Sequence, residues 1–296
     1  MTERVAILGC GYVGLELGRQ LQDDYEVVGV RRSDGGIAAI EDAGFEAVRA
    51  DVTDPESLSA VPDTDWLVFA ASSGGRGAEA AREVYVEGLR TAIDHFWSRA
   101  DPPERLVYTS STGVYGDHGG AWVDEETPLD PQTEKTEVLA EAERVARERP
   151  VEYGGHGSVA RFAGLYGPDR YRLDRYLEGP VTAGYLNMVH RADAAGAVRH
   201  LLTENHRDEV VLVVDDKPVE KWAFADWLAE QCDVSFPPKQ TTEERLADES
   251  LSETAKRRIQ TSKRCSNDRL HELGYEFEYP TFREGYRDAV REYRQN

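Results

Sequence analysis

The chain has 296 residues, 40% of them hydrophobic, and 56 Asp and Glu against 35 Lys and Arg give a formal net charge of −21. That length suits one large α/β unit with an appended lobe, and the apolar share is enough for a real core. So acidic a surface repels nucleic acid and anionic membranes, which argues against both as partners, and no apolar run is long enough to suggest a membrane-spanning helix.

The first apolar run, Val5, Ala6, Ile7 and Leu8, predicts a strand that begins almost at the N-terminus, leaving no room for a signal peptide. Gly9, Gly11 and Gly14 follow at G-x-G-x-x-G spacing, and Val13, Leu17 and Leu21 recur at helical intervals. Gly9 permits the tight turn, Gly11 lets the chain approach a pyrophosphate, and Gly14 lets the helix sit close on the strand. The helix N-terminus offers N–H groups and the positive end of its dipole to the phosphates, so Tyr12 and Val13 join the expected cofactor contacts. A glycine-rich turn alone is weak evidence. The strand before it and the helix after it favour a dinucleotide site over a structural turn.

The second strand, Tyr25–Val30, ends in Arg31, Arg32 and Ser33. An NAD site usually places an acid there to hold the ribose 2′-hydroxyl, whereas two arginines suit a 2′-phosphate. This favours NADP. NAD stays open, because the arginines could be solvated surface residues and Asp34 could still take the ribose. The third strand, Phe45–Val48, leads to Asp51 and Val52, expected at the adenine edge. The fourth, Trp66–Ala71, ends in Ala70, Ala71 and Ser72, whose small side chains suit a strand tip pressed against a cofactor. Strands are also predicted at Arg105–Thr109, Ser158–Ala163 and Val210–Val214, with Phe162 expected beside the cofactor. Helical patterns at Glu79–Trp97 and Glu134–Glu148 fall between strands.

This alternation predicts an α/β fold: a doubly wound parallel-sheet Rossmann domain with a smaller C-terminal substrate lobe. Residues 1–165 would form the NAD(P)-binding domain and 191–214 return to it. Residues 166–190 and 215–296, where the βα rhythm fades, would form the lobe. Cys10, Cys232 and Cys265 are widely spaced with no C-x-x-C pair, as expected of a reduced, cytoplasmic protein. No His, Asp or Glu cluster has metal-ligand spacing, so no metal is expected. Only six of the cations are lysine against 29 arginine. With the charge, this suggests a halophilic surface adapted to molar salt, where screening shortens to about 3 Å.

At Tyr108–Gly116 the chain reads YTSSTGVYG, followed by DEETPLDP at Asp124–Pro131, RFAGLYGPDR at Arg161–Arg170, VHRADAA at Val189–Ala195 and SKRCSNDRLHELGYEFEYPTFREG at Ser262–Gly285. In that order these segments resemble the extended short-chain dehydrogenase/reductase family, which includes NAD-dependent epimerases and dehydratases. The resemblance implies that Ser111 polarises a substrate oxygen, and it places Tyr115 in a family motif near the substrate. It also implies a Tyr-x-x-x-Lys pair as the proton-transfer machinery. Here Thr133 and Glu137 stand at those positions, and no Tyr is followed by Lys four residues later. Thr112 and Gly113 occupy the places of the dehydratases' Asp-Glu pair.

Tyr115, Tyr166 and Tyr171 are candidates for a substitute acid, with packing tyrosines the competing reading. Arg170 and Arg191 could bind a substrate phosphate or carboxylate, or pair on the surface. His118, His156 and His190 lack a catalytic partner pattern. The expected function is an atypical NAD(P)-dependent oxidoreductase, epimerase-like, acting on a sugar-like or nucleotide-linked small molecule. The alternative is a cofactor-binding redox sensor or scaffold without turnover. Relatives often dimerise through the helices that here are Glu79–Trp97 and Glu134–Glu148, so a homodimer is a possible assembly.

Overall fold

The computed structural model describes residues 2–75 and 77–295. Seven parallel strands form the central sheet: β1 (Arg4–Leu8), β2 (Glu26–Arg31), β3 (Glu46–Arg49), β4 (Trp66–Phe69), β5 (Arg105–Ser111), β6 (His156–Phe162) and β7 (Val210–Val213). Their spatial order is β7-β6-β5-β4-β1-β2-β3, so the winding reverses between β1 and β4. Open α/β sheets bind ligands in the crevice above such a reversal, outside the carboxyl ends of the strands. Leu8 pairs with Val30 on one side and Phe69 on the other, and Ser111 is level with Phe162.

The strands read as near-continuous apolar runs because both faces are covered. On one face, Val5, Ile7, Val68 and Val107 pack under α1 (Tyr12–Leu21) and the helix Arg191–Thr203. On the other, Ala6, Leu8, Leu67 and Phe69 meet Ala92, Ile93, Phe96, Val138 and Ala142. These last come from the segment after β4 and from the helix Glu134–Glu148. The predicted Glu79–Trp97 helix is observed as Ala78–Arg82, a π-helical turn at Glu83–Gly88, and Leu89–Trp97. A third core gathers Tyr166, Leu177, Met188, Phe224, Leu228, Phe282 and Tyr286.

The β4 strand stops at Phe69, short of the predicted end at Ala71. Gly9 adopts φ +81°, and a Cβ there would stand 2.2 Å from the Ala71 Cα, so the two strand tips pass each other nearly in contact. Only glycine combines that φ with that approach. No helix among the described residues is long and apolar enough to cross a membrane. The three cysteines are free and buried.

Candidate functional site

The glycine turn and the tips of β2, β4 and β5 converge on the crevice above the winding reversal. Gly11 is the N-cap of α1 and no side chain bonds to the helix end. The first intrahelical bond runs from the Leu15 N–H to the Gly11 carbonyl, 2.8 Å. The N–H groups of the preceding residues therefore remain for an outside acceptor. Gly14 lies against the Ile7 side chain, and Val13 is buried. These features fit a dinucleotide pyrophosphate.

Arg31 ends β2 and turns back over the glycine turn. A Cβ on Gly11 would be 2.7 Å from its Nη1, and one on Gly36 would be 2.8 Å from its Nε. Its guanidinium thus lies between the turn and the helix Asp34–Asp42, with no carboxylate in ion-pair range among the described residues. Arg32 behaves differently. It is exposed and its Nη1 lies 3.3 Å from Asp51 Oδ2. Asp34 pairs with Arg49.

Asp51 accepts hydrogen bonds from the Thr53 N–H (3.1 Å) and Thr53 Oγ1 (2.8 Å) as well as from Arg32. Burial opposes ionisation, but these bonds and the Arg32 charge outweigh it and hold the carboxyl below its usual range. The side chain expected at the adenine edge is therefore already engaged. Val52 is buried against Gly88 of the π-helical turn, so its side chain belongs to the core. Ala70 and Ala71 line the passage beside Gly9, and Ser72 is exposed.

Ser111 is the last residue of β5 and caps a short 3₁₀ turn, Thr112–Tyr115. Its Oγ accepts the Gly113 N–H at 3.1 Å. This leaves the hydroxyl hydrogen free to be donated, the property an oxygen-polarising group requires. Phe162 ends β6 beside it, 6% exposed.

The structure places Tyr115 in the core, behind the tip of β5. Its ring is fully buried and its hydroxyl accepts from Arg161 Nη1 at 2.5 Å. Burial raises the phenol, and Arg161 offsets that only in part, so its pKa lies well above the ordinary tyrosine value. Arg161 in turn binds buried Glu143 (Nη2 to Oε2, 2.7 Å), and Ser110 donates to Glu143 Oε1 at 2.6 Å. Tyr115 is thus the end of a buried polar network that ties β5, β6 and the helix Glu134–Glu148 together behind Ser111. The sequence offered one faint trace of this network: Glu143 lies within the Val138, Ala142, Val145, Ala146 stripe of that helix.

Thr133 is the N-cap of the same helix and forms a capping box with Thr136. Its Oγ1 accepts the Thr136 N–H (3.1 Å) and lies 3.0 Å from Thr136 Oγ1. Glu137 and Lys135 are exposed. His118 contacts the Tyr115 carbonyl and His156 pairs with Asp208, so neither faces the crevice chemistry. Tyr166 stacks on Tyr286 inside the third core, with Tyr171 edge-on to Tyr286. A broad depression of about 1190 Å³ lies at the β7 edge. Its lining includes Asp124, Glu126, Glu209 and Asp268 and no residue of the glycine turn, and those carboxylates disfavour an anionic cofactor there.

Comparison with known proteins agrees with this geometry. Protein YeeZ of Escherichia coli is 29% identical over 287 residues, covering 94% of this chain and 97% of that protein. A conserved protein of unknown function from Silicibacter pomeroyi is 27% identical with TM-score 0.77, covering 98% of this chain and 99% of the other. The UDP-glucose 4-epimerase of Thermus thermophilus, in complex with NAD, shares the fold at 18% identity with TM-score 0.76, covering 98% of this chain and 99% of the other. Residues 5–226 match the NAD dependent epimerase/dehydratase family, and the chain belongs to that family.

Proposed function

We propose that the protein is an NADP(H)-using oxidoreductase of epimerase-like type, acting on a sugar-like or nucleotide-linked small molecule without the Tyr-x-x-x-Lys pair of its relatives. The observation that carries this reading is the pairing, in one crevice, of unpaired Arg31 beside the glycine turn with Ser111 at the tip of β5. A bound nicotinamide would supply or accept a hydride. Gly9, Gly11, Tyr12, Val13 and Gly14 would cradle the pyrophosphate, Arg31 would grip the 2′-phosphate, and Arg32 would reinforce it from across Asp51. Ala70 and Ala71 would pack beneath the cofactor, and Phe162 beside its nicotinamide end. Ser111 would donate its free hydrogen to the substrate oxygen. The segments 166–190 and 215–296 would supply the substrate-facing lobe. The acidic, lysine-poor surface supports work in molar salt, and three buried free thiols suit a reducing cytoplasm.

A tuned phenol is an efficient proton carrier only beside a cation that lowers its pKa. Thr133, spent on a helix cap, and exposed Glu137 cannot supply that pairing. The same observation favours the second reading, a cofactor-binding sensor or scaffold without turnover. Nicotinamide absorbance followed across sugars and nucleotide sugars in high salt separates the two. Turnover lost in Ser111→Ala supports the enzyme. Tight NADPH binding with no turnover on any substrate supports the sensor. Equal NADPH and NADH affinities in the wild type would sink the NADP preference.

A further inference from the structure

Tyr12, the first residue of α1, is half-buried. Its hydroxyl donates to the Pro168 carbonyl at 3.0 Å, and two guanidinium groups lie on its ring, Arg170 at 4.3 Å and Arg191 at 5.0 Å from the centroid. Arg191 is neutralised by Glu16, 3.3 Å away. Arg170 is half-buried and has no carboxylate in ion-pair range among the described residues, although the chain holds 56 acidic residues. The loop that carries it is held in uncommon backbone conformations, with Gly167 at φ +134°, Asp169 at +65° and Arg172 at +53°. Asp169 and Arg172 are two of the five non-glycine residues of positive φ among the described residues. Such conformations persist only where surrounding structure enforces them, and they cluster at ligand clamps. Here the enforcing contacts are the Tyr12–Pro168 bond and the Gly167 backbone packed against Tyr12, His190 and Arg191.

We infer that Arg170 is a side-chain ligand for the pyrophosphate of the cofactor, delivered over the glycine turn by the 167–172 loop. This rests on the proposed NADP(H) reading and deepens it. The glycine turn by itself offers backbone N–H groups. Arg170 adds a full charge held by cation–π stacking on the residue after Gly11, half-buried and with no carboxylate in ion-pair range among the described residues. Because the loop also leads into the third core, cofactor binding and the placement of that core become linked through one side chain.

The test is equilibrium titration of the full-length protein with NADPH, followed by nicotinamide fluorescence, and with 2′-AMP, which carries the 2′-phosphate but no pyrophosphate. It is run at the lowest salt at which the protein stays folded. Arg170→Ala is expected to weaken NADPH about tenfold and 2′-AMP less than about twofold. Arg170→Lys, which keeps the charge and the stem over Tyr12 but not the planar fork, is expected to fall between wild type and Arg170→Ala. An unchanged NADPH affinity in Arg170→Ala overturns the inference alone. Equal losses for NADPH and 2′-AMP also overturn it, since they would mark a general loosening of the turn. Failure of the wild type to bind either ligand would overturn the cofactor reading and the inference together.

Discussion

Arg31 and Arg32 are adjacent in sequence and equal in charge, yet the fold gives them different work. Arg32 is tied to Asp51, while Arg31 stands over Gly11 with its charge unspent. Arg31→Ala should therefore cost NADPH about tenfold in affinity and leave NADH nearly unchanged, while Arg32→Ala should cost less; paired fluorescence titrations would show it. The motif was legible in the sequence, but which arginine is free was not, because that depends on where β3 delivers Asp51. His190 makes a second residue-scale prediction. Burial, aided by the Arg191 charge, depresses its imidazole from 6.5 to about 4. The folded state therefore prefers neutral His190, and the stability this contributes is full above pH 6.5 and is lost as pH falls toward 4. Denaturant midpoints across that range should fall in wild type and fall less steeply in His190→Phe.

At the scale of elements, the N-terminus and the middle of the helix Glu134–Glu148 do different things. Its N-terminus carries the Thr133–Thr136 capping box. Thr133→Ala should destabilise the protein by about 1 kcal/mol in urea unfolding, a cap's worth, whatever it does to activity. Its middle carries Glu143, buried with Arg161. Arg161→Ala would strand that carboxylate and should cost about 3–5 kcal/mol, whereas replacing both partners by apolar residues of similar volume should cost far less. Helix boundaries here were readable from 3.6-residue periodicity. The network was not, since Ser110 and Tyr115 are far in sequence from Glu143 and from Arg161, and only the β5–β6 pairing with the helix above brings them together. That the Tyr115 hydroxyl is buried against Arg161 could not be read from the YTSSTGVYG motif alone.

For the whole molecule, charge is the dominant fact. A net charge of −21 destabilises the compact state through self-repulsion at low ionic strength, so the melting temperature should rise steeply as KCl increases toward molar concentrations. A flat salt response would refute the halophilic reading. The helices expected to mediate dimerisation present charge outward: Arg82 pairs with Glu141 at 2.6 Å, and Glu83, Glu87, Glu137 and Arg144 are exposed. Any dimer through this face would be polar, so sedimentation should show an assembly that dissociates readily with changing salt.

The sequence by itself determined the winding of the sheet, the dinucleotide turn and the family, because these rest on local signals: apolar periodicity, glycine spacing and short motifs in order. Tertiary structure alone decided which charges are free. Whether an arginine or a tyrosine is spent on a neighbour or left for a ligand depends on contacts between segments far apart in the chain, and no local pattern encodes them. Arg31 and Ser111 emerge as available and Asp51 as engaged, while Arg170, stacked on Tyr12, has no carboxylate in ion-pair range among the described residues.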